Sequence, residues 1–259
     1  MNKKKLIGII VACVVVIVVV VAVVLRPPAG NGAPTDNDTG VAFADPNLEA
    51  AIREAVGIPE ATIYAEDLEG FTALAADGRN IADLGGLEHC IDLTHISLSH
   101  NPISSILPLA NLTSLTTLYL EGNQISDISA LASLNSLTWL DLSDNEISDI
   151  SSLANLTSLT TLKLWNNQIG NIGPLANLPN LTELDLNDNE MSDISPVESL
   201  VNLTRLWLHG NQISDISPLV DNLGLGEGDT VILVNNPLSE ESVNVHISEL
   251  EARGVTVEY

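Results

Sequence analysis

From residue 71 onward, leucine and isoleucine return at fixed places in a 22-residue period. Residues 115–136 read Leu-Thr-Thr-Leu-Tyr-Leu-Glu-Gly-Asn-Gln-Ile-Ser-Asp-Ile-Ser-Ala-Leu-Ala-Ser-Leu-Asn-Ser, and blocks starting at Leu93, Leu137, Leu159, Leu181 and Leu203 repeat that pattern. A degenerate copy begins at Phe71, and a truncated one runs from Val231 to Leu238. Block positions 1, 4, 6, 11, 14, 17 and 20 are apolar in the six central blocks. The one exception is Asn222, where the neighbouring Leu223 suggests a one-residue slip. Positions 4 and 6 alternate with 3, 5 and 7, which predicts a short strand with its leucines on one side. A single coil cannot bury such leucines alone. Stacked coils can, by sharing one continuous interior.

Two polar positions also recur. Position 9 is Asn101, Asn123, Asn145, Asn167, Asn189 and Asn211, with Asn236 in the partial copy, and a buried amide there suits backbone groups of neighbouring coils. Position 13 is mostly Asp (Asp83, Asp127, Asp149, Asp193, Asp215), which predicts side-chain bonding to a local turn.

Across residues 71–238 these motifs resemble the leucine-rich repeat family, and the Asn-Gln-Ile-Ser-Asp-Ile-Ser limb is similar to its 22-residue internalin type. The resemblance implies an α/β fold: a right-handed solenoid with a parallel sheet on its concave side and 3₁₀-type turns on its convex side. It also implies a non-enzymatic role in adhesion or recognition through the concave face. The tail Thr-Val-Glu-Tyr lacks a wall-sorting signal, so an invasion role is not carried over.

Both ends of the solenoid read as capped. Asp45-Pro46 opens a helix with Leu48, Ala51, Ile52, Ala55 and Val56 as its apolar stripe, and Gly57 closes it. Ser239 opens a second helix with Val243, Ile247 and Leu250 on one face, Gly254 ends it, and residues 255–259 read as a strand. The expected caps are residues 43–70 and 239–259, around repeats at 71–238.

Upstream, residues 6–25 form twenty positions without a charge or proline, long enough as a helix to span the ~30 Å of a bilayer core. Lys3, Lys4 and Lys5 precede the run and Arg26 follows it. That bias predicts cytoplasmic residues 1–5, a single transmembrane helix at 6–25 and an extracellular remainder, with 26–42 as a flexible linker. The run ends Val-Val-Leu-Arg-Pro-Pro, with no small-x-small cleavage site, which argues against a removable signal peptide. A lipoprotein reading of Cys13 would leave twelve further apolar residues on the mature terminus.

Composition then narrows the function. The 259 residues include 34 acidic and nine basic side chains, and four of the nine lie in the first 26 positions. So acidic a domain does not bind nucleic acid. Its two cysteines form no disulfide framework, and no Cys/His spacing suggests zinc. Cys90 falls at a core position as a buried thiol. No phosphate loop or nucleophile elbow is present, and no cofactor is expected.

In-register parallel strands stack each outward position into a column at ~4.8 Å steps. Position three gives Ala73, His95, Thr117, Trp139, Thr161, Glu183, Arg205 and Thr230. Position five gives Ala75, Ser97, Tyr119, Asp141, Lys163, Asp185, Trp207 and Ile232. Position seven gives Asp77, Ser99, Glu121, Ser143, Trp165, Asn187, His209 and Val234. All three tryptophans fall in these columns, and exposed aromatics on a rigid scaffold are what binding sites use. The candidate partner-binding residues are therefore Tyr119, Trp139, Asp141, Lys163, Trp165, Glu183, Asp185, Arg205, Trp207 and His209. Lys163 between Asp141 and Asp185, and Arg205 beside Glu183, also read as cross-strand charge pairs. A protein ligand is favoured. A polysaccharide stacked on the tryptophans stays open, as does calcium at the recurring Asp141/Asp144 and Asp185/Asp188.

Overall fold

The computed structural model describes residues 40–259. The expected cytoplasmic segment and membrane helix, and nearly all of the 26–42 linker, lie outside the described residues. Among the described residues no helix is long and apolar enough to cross a membrane.

One helix, α1 (Pro46–Val56), leads into nine three-residue strands: β1 (Ala73–Ala75), β2 (His95–Ser97), β3 (Thr117–Tyr119), β4 (Trp139–Asp141), β5 (Thr161–Lys163), β6 (Glu183–Asp185), β7 (Arg205–Trp207), β8 (Thr230–Ile232) and β9 (Thr256–Glu258). They form one parallel sheet in strict sequence order. The register is the one the columns require: Thr117 pairs Trp139, Trp139 pairs Thr161, and Lys163 pairs Asp185. Each coil returns through a 3₁₀ turn, such as Ser129–Leu131 or Ser151–Leu153. After β7 the return is a short helix, α2 (Ser217–Asp221).

The apolar positions close the interior. Leu137, Leu140, Leu142, Ile147, Leu153 and Leu156 of one coil are all 0% exposed, and their equivalents stack above and below them. Each side chain so buried contributes about 1.5–3 kcal/mol. Polar ladders run beside the leucines. Asn145 Oδ1 accepts from Ile125 N (3.0 Å), while its Nδ2 donates to the carbonyls of Leu120, Leu142 and Ser143 at 2.9–3.1 Å. The position-13 aspartates do what their spacing predicts: Asp127, Asp149, Asp193 and Asp215 each accept from the backbone N–H two residues on, at 2.8 Å.

The slip inferred at Asn222 is overturned. Asn222 is fully buried and Leu223 is 86% exposed. The amide donates to Val197 O (2.8 Å) and Leu200 O (3.1 Å) and accepts from Gly224 N (2.8 Å). Arg205 pairs Thr230, so this coil is longer than its neighbours, and at its wider turn the buried amide accepts from Gly224 N and bonds carbonyls of the preceding coil, contacts that leucine cannot make.

The ends follow the capping signals. Asp45 Oδ1 accepts from Asn47 N (2.8 Å) and Leu48 N (3.3 Å), and its Oδ2 from Ala82 N (2.7 Å), which ties α1 to the first coil. At the other end Ser239 Oγ accepts from Ser242 N (3.1 Å). The expected helix there is not uniform: Ser242–His246 is a widened π turn before α3 (Ile247–Ala252). The fully buried Ser242 donates to Ser214 O (2.8 Å) and accepts from Ile216 N (3.2 Å), contacts that dock this turn on the last long coil.

Candidate functional site

Position 8 of each coil turns the chain off the sheet in a left-handed conformation. Here φ is 57° at His100, 69° at Gly122, 52° at Asp144 and Asn166, 50° at Asp188 and 68° at Gly210. Glycine, asparagine and aspartate tolerate that region, which accounts for Asp144 and Asp188 without a metal. At Gly210 a side chain would also collide with Asp188 Oδ1. Among the described residues no group of three or more His, Cys, Asp or Glu is placed to hold a metal ion.

The outward side chains of β3, β4 and β5 meet at the middle of the sheet. The Tyr119 and Trp139 rings lie 6.0 Å apart at 45°, and Lys163 Nζ sits 5.4 Å from the Trp139 ring centroid. The same ammonium is 3.9 Å from Asp141 Oδ2. Asp141 does not face solvent as its column position suggests: it is 4% exposed, and its Oδ1 accepts from Ser143 N (3.1 Å). Thr161 and Ser143, also at outward positions, are buried as well, at 5% and 0% exposure.

Asp185 lies on the far side of Lys163, half-buried, with Oδ1 accepting from Asn187 N (3.0 Å). Burial pushes its carboxyl up to about 6. Asp141 and Asp188 push the same way, whereas the Asn187 hydrogen bond and Lys163 pull it down. Burial, then Asp141, also raises the Glu121 carboxyl and the Tyr119 phenol. The Cys90 thiol is pushed up to about 12 by burial and by Glu88, and so stays protonated and inert.

The remaining candidates form separate groups. Arg205 Nη1 donates to Glu183 Oε1 at 2.6 Å on an exposed part of the sheet. The backbone N–H of His209 donates to Asn187 Oδ1 (2.7 Å), and His209 Nε2 lies 3.8 Å from Asp188. Trp165 and Trp207 are half-buried, Trp165 two residues beyond the end of β5. Sequence reasoning passed over Glu121 and Ser143, although both stand in column seven beside Asp141. The signal was their place next to the Asp141 column, Ser143 two residues on in the same coil and Glu121 one coil before.

A single parallel sheet presenting aromatic and charged columns, with its leucines sealed on the other side, defines a repeat scaffold for recognition. The leucine-rich repeat profile, described as "Leucine Rich repeats (2 copies)", matches residues 91–133, 135–177 and 179–221. Internalin C2 from Listeria monocytogenes is 35% identical with a TM-score of 0.75, over 87% of this chain and 100% of that one. The internalin InlF from the same organism is 33% identical with a TM-score of 0.76, over 83% of this chain and 62% of that one. A leucine-rich repeat protein of Leptospira interrogans, at 22% identity and a TM-score of 0.64, shares the fold. Comparison with curated proteins gives no sequence match. The chain belongs to the leucine-rich repeat family, in its internalin-like group.

Proposed function

We propose that this protein recognises another protein through the outward face of its sheet, without catalysing a reaction, at an extracellular surface to which residues 6–25 anchor it as a membrane helix. The observation carrying this is the Tyr119–Trp139–Lys163 cluster on β3–β5, with half-buried Trp165 just past β5 and Trp207 at the end of β7. Indoles half-open to water on rigid strands give large contact area at little entropic cost. The leucine-rich repeat fold and the likeness to internalins support recognition as the role. The long uncharged run before the linker supports the anchor, and adhesion is the corresponding biological setting.

Photocrosslinking tests the face directly. A photoreactive residue at Thr117, on the outward side of β3, is expected to trap a polypeptide on intact cells. The same residue at exposed Ser148, on the opposite limb, is expected to trap none. Capture only from Ser148 overturns the proposal, and retention on a glycan array with no trapped protein replaces the protein ligand by a polysaccharide.

A further inference from the structure

Every basic side chain among the described residues is already engaged within the fold. Arg53 is held by Glu49 and by the carbonyls of Ile58 and Ala61, Arg79 by Glu54, and Arg205 by Glu183. Arg253 donates to the carbonyls of Asn222 and Val220. Lys163 differs from the four arginines. Its ammonium makes no hydrogen bond, and it is held only by the Trp139 face at 5.4 Å and by Asp141 at 3.9 Å. Residues 40–259 carry 32 acidic side chains against these five lysine and arginine side chains, so the surface offers little to an anionic ligand and much to a cationic one.

Four buried polar atoms among the described residues lack a hydrogen-bond partner, Ser152 Oγ and His246 Nδ1 apart from this face and two others together in the outward row of the β4 coil. Trp139 Nε1 and Ser143 Oγ are buried and unpaired. Asp141 Oδ2, on a side chain 6% exposed, has only the long ion pair to Lys163. Buried polar atoms are ordinarily paired, and two unpaired atoms on either side of a carboxylate held only by a long ion pair mark a place built for groups the chain itself does not supply. The missing groups are specific: donors for the Asp141 and Ser143 oxygens and an acceptor for the indole N–H. A basic side chain together with a main-chain carbonyl supplies both, which selects a polypeptide over a simple amine.

We infer that Trp139, Asp141 and Ser143 form the seat of an arginine or lysine on a basic segment of the partner protein, and that Lys163 holds this seat in the free molecule until the partner displaces it. The inference rests on the sheet-face reading above. A guanidinium stacks on an indole and bonds a carboxylate at once, whereas the Lys163 ammonium reaches Asp141 only at 3.9 Å, so exchange gains hydrogen bonds that the free protein lacks. Asp185, paired with Lys163 across β5 and β6, receives the displaced ammonium.

A fluorescently labelled Arg-Gly-repeat nonapeptide, titrated into the full chain in detergent at pH 7.5, tests the seat by anisotropy. Lys163→Met is expected to tighten binding about fivefold, and Trp139→Leu to weaken it by a similar factor. Arg79→Met removes one positive charge far from the seat and controls for bulk charge; it is expected to change affinity little. If Trp139→Leu loses its far-UV CD signature, Trp139→Phe replaces it and still weakens binding. Tightening by Lys163→Met no greater than by Arg79→Met overturns the seat, as does tighter binding of the matching Glu-Gly peptide. Should the arginine peptide fail while crosslinking through Thr117 succeeds, the sheet face stands and its cationic ligand falls. Failure of both removes the face itself.

Discussion

Asp185 shows how one residue couples the sheet face to stability. Its carboxyl rises from 3.8 to about 6, chiefly because burial disfavours the charged form. The folded state therefore binds more protons than the unfolded chain between about pH 4 and 6. Stability is lost as pH rises through that window and stays lower above it. Asp185→Asn keeps an acceptor for Asn187 N and removes the charge. Urea unfolding is expected to find the variant about 2–3 kcal/mol more stable than the natural sequence at pH 7.5, with the difference closing near pH 4. Equal stabilities at pH 7.5 would contradict this account of Asp185.

At the scale of the coil, the ladders hold neighbours in register. Asn145 closes four backbone hydrogen bonds across two coils, so Asn145→Ala leaves buried donors and acceptors unpaired. Its expected cost is about 3 kcal/mol by urea denaturation, several times the loss from removing a neutral, solvent-reachable bond such as Thr138 Oγ1 to Thr116 O. That threonine ladder, repeated from Thr94 to Thr204, was as periodic in the sequence as the asparagines and went unread. The strand positions, the register and the asparagine roles were legible because a 22-residue repeat fixes spacing and side together. Hydropathy ranks Leu223 above Asn222 as the interior residue, whereas the amide's bonds to Gly224 N and to the preceding coil decide the matter at a lengthened turn. The depth of Asp141 was hidden for a related reason: a column position says which way a side chain points, but not how far it is buried there.

On the scale of the whole molecule, strand pairing among the described residues joins adjacent coils, while charge reaches further. Repulsion among the 32 acidic side chains of residues 40–259 acts along the entire solenoid and is screened by salt. Calorimetry is expected to show Tm rising between about 20 mM and 0.5 M sodium chloride. A Tm that falls would mean the few ion pairs, such as Arg205–Glu183, outweigh that repulsion.

The central claim is that outward indoles make the binding surface. Its most direct test is partner capture by the natural sequence and by the triple variant Trp139→Ala, Trp165→Ala, Trp207→Ala, with both proteins checked by far-UV CD. The account predicts an unchanged spectrum and lost capture. Full capture by a folded triple variant would contradict it.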